Sequence, residues 1–508
     1  MQQGGFLVFN LPFTRLSLIL SPNHFPQANT NMTFSAVFFA SAHLLNLAAI
    51  IVLVFFQRKE PSTRYTWILV FLLLPYLGVA LYLLFGHNYA RRETVQHSKE
   101  ARQEVDDFIA AQIRNSDKML FADKRFIKVA HMNLVNDHMR VTSNNKVRIF
   151  TNGADKFASL RHDIREAREY VHLLYFIFRT DELGREIIDL LTEKAEQGVD
   201  VKVVYDDIGN FAVSSLAFHK LRKAGGSVHR YSPLITGLLT ANYRNHRKLA
   251  LIDGKIGYIG GMNIGSEYIH GKGRLTPWRD THVRLEGSVV GSMEALFLSD
   301  FHYAAHKIGR VDSMGKIFNP SSNISGCSTV QLLSSGPQPG QSSIYKAYTK
   351  IFNVAEKYLY IQTPYLIPDR TILNSLKNAQ ASGVDVRVML PTYPDKSFVY
   401  LATLNYAREL CSTWGIKVYF YKGFLHSKMI LADDQIISIG SSNLDMRSFF
   451  LSYEANIFIY DRSLAEQQRE QFHKDMENCV LADEAYFQNL SAPVRIVMPF
   501  CQLLAPLM

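Results

Sequence analysis

A chain of 508 residues that is 47% hydrophobic and 20% charged holds enough apolar material for two or three domains, which excludes a disordered polymer. The balance of 55 basic against 45 acidic residues leaves +10, which favours anionic partners (acidic lipid headgroups, phosphorylated compounds or nucleic acid) without choosing among them. Cys327, Cys411, Cys479 and Cys501 are scattered with no CxxC pair, so they read as free thiols and argue against a zinc site.

Residues 1–33 read as an N-terminal extension. Phe34–Phe56 then runs for 23 residues without a formal charge, and Trp67–Phe85 for 19 more. Each approaches the roughly 20 residues that cross a hydrocarbon core. Neither has the short apolar core and small-residue cleavage site of a signal peptide. Residues 34–86 are therefore predicted to hold two transmembrane helices in a hairpin, with Tyr65, Trp67 and Tyr89 as interfacial aromatics. His43 and Asn46 inside the first stretch read as a helix–helix contact. Basic residues in the connecting loop (Arg58, Lys59, Arg64) number fewer than those on the opposite side (Arg15, Arg91, Arg92, Lys99, Arg102), so the count leans towards a cytoplasmic main body. Residues 87–135 read as a charged helical linker, centred on "ETVQHSKEARQEVDDFIAAQIRN".

The rest of the chain contains a duplication. "EYVHLLYFIF" and "EKAEQGVDVKVVYDD" in one half answer to "KYLYIQTPYLIP" and "KNAQASGVDVRVMLP" in the other. Apolar strands flanking helix-like segments imply βαβ units with both sheet faces covered. The expectation is an α/β fold with two similar domains, 136–317 and 318–508, the boundary falling in "FNPSSNISGCS", Phe318–Ser328.

Each half carries the pattern H-x-K-x4-D followed by G-[GS]-x-N. The first copy is His246, Lys248, Asp253, Gly260, Gly261 and Asn263; the second is His426, Lys428, Asp433, Gly440, Ser441 and Asn443. One copy alone arises by chance; two at matched spacing inside a wider repeat do not. His246 and Lys248 are two apart on one strand and share a face, as do His426 and Lys428. Asp253 and Asp433 fall on the other parity, in Asp-Gly and Asp-Asp steps between apolar runs, and read first as hairpin turns. An imidazole can attack phosphorus to form a phosphohistidine, and a second can protonate the leaving alkoxide and deprotonate the incoming alcohol. Lysines and Asn263 and Asn443 suit the phosphoryl oxygens. A carboxylate on the far nitrogen fixes each tautomer; taking the one downstream in the same half, Asp280 is expected on His246 and Glu454 on His426. His270, His282, His302 and His306 have no repeated context. Arg244 in "TANYRNHRK" is a further phosphate candidate, and that basic, aromatic cluster otherwise reads as a solvated face. The tail "VRIVMPFCQLLAPLM" reads equally as a core element or a membrane-surface contact.

These residues resemble the phospholipase D superfamily, whose signature is the paired motif. "NYRNHRKLALIDGKIGYIGGMNIGSEY", "WRDTH", "IQTPYLIPD", "FLHSKMILADD" and "GSSNLDMRSFFLSYEAN" are similar to bacterial cardiolipin synthases over roughly residues 34–508, with Ser452 where asparagine is commoner. The resemblance implies two phospholipase D-like α/β domains about a pseudo-twofold axis. It also implies a metal-free, cofactor-free phosphatidyltransferase with His246, Lys248, Asp253, His426, Lys428 and Asp433 as its catalytic set. One phosphatidylglycerol would pass its phosphatidyl group to His246, releasing glycerol; a second would accept it with His426 as acid and base, giving cardiolipin. The implied setting is the bacterial inner membrane, multi-pass, with catalytic domains on the cytoplasmic side and no nucleic-acid partner. The alternatives are a hydrolase or transphosphatidylase using water, another alcohol or phosphatidylethanolamine; a nuclease, against which the apolar N-terminus argues; and a dead scaffold, against which two intact motifs argue.

Overall fold

The computed structural model describes residues 34–57, 61–86, 95–97, 110, 123–210, 215–232, 242–306, 309–311, 326–338, 340 and 342–505. The 1–33 extension, the linker as far as residue 122 apart from 95–97 and 110, and the boundary stretch up to residue 325 lie outside them.

The first apolar stretch is a helix, α1 (Phe34–Ile51), prolonged by a wider turn to Phe56; its window Phe39–Phe56 is apolar and long enough to cross a membrane. The second stretch is not the continuous span predicted from its length. It forms α2 (Pro61–Leu73) and α3 (Leu77–Leu81), broken at Pro75. Proline lacks the N–H that would continue the ladder and pushes the preceding residue out of helical geometry. Tyr76 then takes φ +61°, and α3 folds back on α2. Tyr82 meets Trp67 and Phe71 edge-on at 5.1 and 5.4 Å. Gly78 permits the approach, since a Cβ there would lie 2.8 Å from the Val70 carbonyl oxygen. As the sequence suggested, Asn46 serves a helix–helix contact, its Nδ2 donating to the Phe71 carbonyl at 2.8 Å.

The end of the presumed linker is no linker. It folds as α4 (Lys124–Asp137), capped by Asp123, whose carboxylate accepts from the Arg125 backbone N–H at 2.8 Å. Phe126, Val129 and Ala130 join the second half's core.

In the first half, β1 (Val141–Phe150) and α5 (Gly153–Glu166) precede β2 (Tyr170–Tyr175), α6 (Glu182–Glu196), β3 (Asp200–Asp206) and β4 (Ser227–Tyr231). The hairpin β5 (Lys248–Ile252) and β6 (Ile256–Gly260), then β7 (His282–Glu286) and α7 (Val289–Ala304), complete it. In the second half, β8 (Ser328–Ser335), α8 (Ser343–Val354), β9 (Tyr358–Gln362), α9 (Arg370–Ala381), β10 (Asp385–Pro391), α10 (Ser397–Arg408) and β11 (Lys417–Tyr421) follow the same plan. The hairpin β12 (Met429–Ala432) and β13 (Ile436–Gly440), then β14 (Glu454–Tyr460) and α11 (Arg462–Glu477), answer to β5, β6, β7 and α7. The chain ends with β15 (Cys479–Leu481) and α12 (Ala492–Leu503).

The strands form one 15-stranded sheet, in the order β15-β11-β10-β9-β12-β13-β14-β8-β1-β7-β6-β5-β2-β3-β4. Each half repeats one pattern outwards from the join: β1 or β8, then two antiparallel neighbours, a hairpin partner and three parallel strands. The βαβ units expected from the apolar strands are β2-α6-β3 and β9-α9-β10, each extended by one further parallel strand, β4 or β11; the rest of each sheet is antiparallel. The halves are joined by antiparallel β8 and β1, with Val330 opposite Thr142 and Gln331 opposite Val141. One apolar cluster mixes both halves, setting Leu249 and Ile259 with Leu431 and Ile439, while each half keeps an outer cluster beneath its own helices.

Candidate active site

Each motif strand begins where the chain has just crossed to the other half. The segment before β5 lies along the start of β14: the His246 N–H donates to the Tyr453 carbonyl at 2.9 Å and the Tyr453 N–H to the Arg244 carbonyl at 2.8 Å. The segment before β12 does the same to the first half. Phe424–Leu425 pairs in parallel with Trp278–Arg279, and the His426 N–H donates to the Arg279 carbonyl at 2.7 Å. Each histidine is thus stitched beside the residue that immediately precedes the other half's carboxylate.

This reverses the carboxylate pairing expected from the sequence. His246 Nδ1 lies 3.0 Å from Glu454 Oε1, and His426 Nδ1 lies 2.7 Å from Asp280 Oδ2. Both carboxylates are buried. With Nδ1 held there, each Nε2 is left for the cavity of about 1140 Å³ that both imidazoles line. Phe176 meets the His246 ring edge-on at 4.9 Å, and Trp278, Tyr268 and Phe424 surround His426 at 5.6–5.9 Å.

Burial sets the protonation states. It pushes the His426 imidazole down to about 4, aided by Lys428, and His246 well below the usual histidine range, aided by Lys248, Lys428 and His426. Burial pushes the Glu454 carboxyl up to about 8. The Lys428 ammonium is lowered to about 8 by the same cause. The two lysines curl beneath their own histidines, with Lys428 Nζ donating to the His426 carbonyl at 2.5 Å and Lys248 Nζ to the His246 carbonyl. Neither is among the residues lining the cavity, so in this arrangement their charge reaches it from behind.

The third letter of each motif stands apart from the cavity, as the strand parity indicated and the family pattern did not. Asp253 and Gly254 both take positive φ (52° and 63°), as do Asp433 and Asp434 (54° and 56°), the requirement of a type I′ turn. The Asp253 carboxylate accepts from the backbone N–H groups of Arg168, Glu169 and Tyr170 at 2.8–2.9 Å. Asp433 accepts from Glu356, Lys357 and Tyr358, each at 2.9 Å, and from Arg125 Nη1 at 2.9 Å. These aspartates pin hairpin to neighbouring strand and do not line the site.

The two asparagines differ. Asn263 Oδ1 accepts from the Ile177 N–H at 3.0 Å and its Nδ2 donates to the Tyr268 hydroxyl at 2.5 Å. Asn443 Oδ1 is buried with no hydrogen-bond partner among the described residues. Both line the cavity, as does Arg244, whose Nη1 donates to the Ser232 carbonyl at 3.1 Å. Sequence reasoning missed much of the wall. Phe176, Ile208, Tyr365 and Asp395 also line it, each within a few residues of the C-terminal end of one of the parallel strands β2, β3, β9 and β10. Ligands of open α/β sheets bind there, so that position was the available signal.

The family described as "Cardiolipin synthase, PLD-like domain" matches residues 160–272 and 348–476, one segment in each half. "Phospholipase_D-nuclease N-terminal" matches residues 44–87. The chain is 37% identical over 492 residues to the major cardiolipin synthase of Bacillus subtilis, covering 94% of this chain and 100% of that one. It is 37% identical over 474 residues to a cardiolipin synthase of Listeria monocytogenes, covering 92% and 98%, and 36% identical over 494 residues to cardiolipin synthase 1 of Staphylococcus aureus, covering 95% and 100%. Among solved structures, the phosphatidylserine synthase of Haemophilus influenzae superposes with a TM-score of 0.60 at 16% identity, covering 75% of this chain and all of that one, a likeness of fold alone.

Proposed function

The chain belongs to the phospholipase D-like cardiolipin synthase family, and we propose that it makes cardiolipin and glycerol from two phosphatidylglycerols through one site shared by its halves, 136–317 and 318–508. The observation that carries this reading is the pair of imidazoles facing one cavity, each backed by a carboxylate of the opposite half.

With Glu454 ionised and accepting from Nδ1–H across 3.0 Å, the Nε2 lone pair faces the cavity; because burial lifts that carboxyl to about 8, this nucleophilic form gains as pH rises through that value. Burial keeps the imidazole neutral, as a nucleophile requires. Nε2 attacks phosphorus, the bond from phosphorus to the glycerol oxygen breaks, and His426 gives that oxygen a proton. His426 enters the cycle neutral, and the phosphodiester anion favours its protonated form on arrival. The terminal hydroxyl of a second phosphatidylglycerol then loses its proton to His426, and its oxygen displaces His246 from phosphorus. The Nδ2 amide of Asn443, a donor on the cavity wall, and the charge of Lys248 and Lys428 serve the phosphoryl oxygens; Asn263, held by Ile177 and Tyr268, shapes the wall. The assignment of His246 rather than His426 as nucleophile follows the family resemblance.

α1 anchors the chain in the bacterial inner membrane. In sequence order one basic residue, Arg15, precedes α1, and Arg58, Lys59 and Arg64 follow it closely, a balance that favours a cytoplasmic site.

Purified protein given labelled phosphatidylglycerol in detergent is expected to release glycerol and form cardiolipin. Phosphatidic acid as the sole product would replace this reading with a hydrolase.

A further inference from the structure

The apolar tail becomes α12, a helix apolar on two faces. Val494, Met498 and Cys501, with Ala505 just beyond, turn inwards and join the second half's core. On the other side Ile496, Phe500 and Leu503 stand 75%, 56% and 63% exposed, with Val497 at 39% beside them. The helix holds a single charged residue, Arg495. A water-facing helix carries polar residues on its outer stripe. Bulky apolar side chains at i, i+4 and i+7 in their place mark contact with an apolar phase.

Two neighbours identify that phase. Thr66 Oγ1 donates to the Leu503 carbonyl at 3.5 Å, so the end of α12 abuts α2, within the segment that carries the spanning helix. Leu504 lines the active-site cavity, as do Ile208, Tyr393 and Phe398, all three of them exposed; Phe398 belongs to α10, on which α12 packs. An apolar strip therefore runs from the membrane segment along α12 to the cavity mouth.

We infer that α12 lies in the headgroup–acyl boundary of the bilayer, with Ile496, Phe500 and Leu503 among the acyl chains, and that it holds the cavity mouth on the lipid surface. This rests on the membrane-anchored reading above. α1 alone tethers the body but leaves its orientation free; a second, in-plane contact fixes which face meets the lipid. Drawing a two-chain lipid into water is opposed by every methylene exposed, and a mouth held at headgroup level removes that need.

The test uses the full-length protein in phosphatidylglycerol–phosphatidylcholine vesicles. With Phe500 replaced by photoreactive p-benzoylphenylalanine, irradiation is expected to give a lipid adduct. The same replacement at Gln467, exposed on the charged helix α11, is expected to give about tenfold less. The double variant Ile496→Glu, Phe500→Glu should lose about tenfold in turnover on vesicles while keeping its turnover on monomeric short-chain phosphatidylglycerol, which also reports that it folds. Equal turnover loss on both substrates leaves the decision to the adduct. No adduct at 500 in protein that resists alkaline carbonate extraction overturns the inference; release of the protein by carbonate overturns the anchored reading instead.

Discussion

In the first half-site His246 meets Glu454, whose other oxygen takes a hydroxyl from Ser441; in the second, His426 meets Asp280, which packs against the bare backbone of Gly261. A Cβ at Gly261 would lie 2.1 Å from Asp280 Oδ1, so the serine of one half has no room in the other. The asparagines diverge as well, one tied into the wall and one with a free carbonyl oxygen. The duplication has preserved the two imidazoles and their lysines, while their supports have separated.

The largest expected effect tests whether the halves share one site. His246→Ala and His426→Ala should each lower turnover by about 10³-fold or more, since neither imidazole has a substitute. Acid-labile phosphate should be trapped on His246 and be missing from His246→Gln; trapping on His426 instead would exchange the two roles. Next come the supports. Glu454→Gln and Asp280→Asn should each cost about 10²-fold in kcat with little change in KM, and the loss in each should follow the histidine of the opposite half. Gly261→Ser should resemble Asp280→Asn because it displaces that carboxylate, whereas Ser441→Gly should cost only several-fold. An equal loss in the two exchanges would erase the asymmetry.

Titration sharpens the comparison further. The unfolded chain protonates His426 at about 6.5, the folded chain only at about 4. Its contribution to stability is therefore fully present above pH 6.5 and is lost as pH falls towards 4, by up to about 3 kcal/mol. Between pH 7 and pH 5 the wild type should lose more melting temperature than His426→Gln. The smallest effect separates the aspartates. Asp433→Asn should destabilise by about 1–3 kcal/mol, and Asp253→Asn by less because it has no counterpart to Arg125 among the described residues and is less buried. Chemical denaturation measures both, and activity per folded molecule should change little.

Strand periodicity, the repeat and the turn residues were open to reading because their causes act within about ten residues. His246 and Lys248 share a face because strand side chains alternate, and Asp253 takes positive φ because its hairpin needs it. Length and hydropathy marked the apolar N-terminus but gave Pro75 too little weight, and the fold-back of α3 is the result. The charged run "ETVQHSKEARQEVDDFIAAQIRN" suggested a linker as far as residue 135, although the Phe126, Val129, Ala130 stripe within α4 is buried against a core some 200 residues downstream.

The sequence by itself determined that there are two motifs at matched spacing and that an apolar stretch stands before them. Tertiary structure alone decided which carboxylate each imidazole meets, because those partners lie 208 and 146 residues apart. Their meeting depends on β1 and β8 joining the halves and on each histidine segment hydrogen-bonding across that join. Local propensity carries no information about a contact that forms only when two distant strand ends dock.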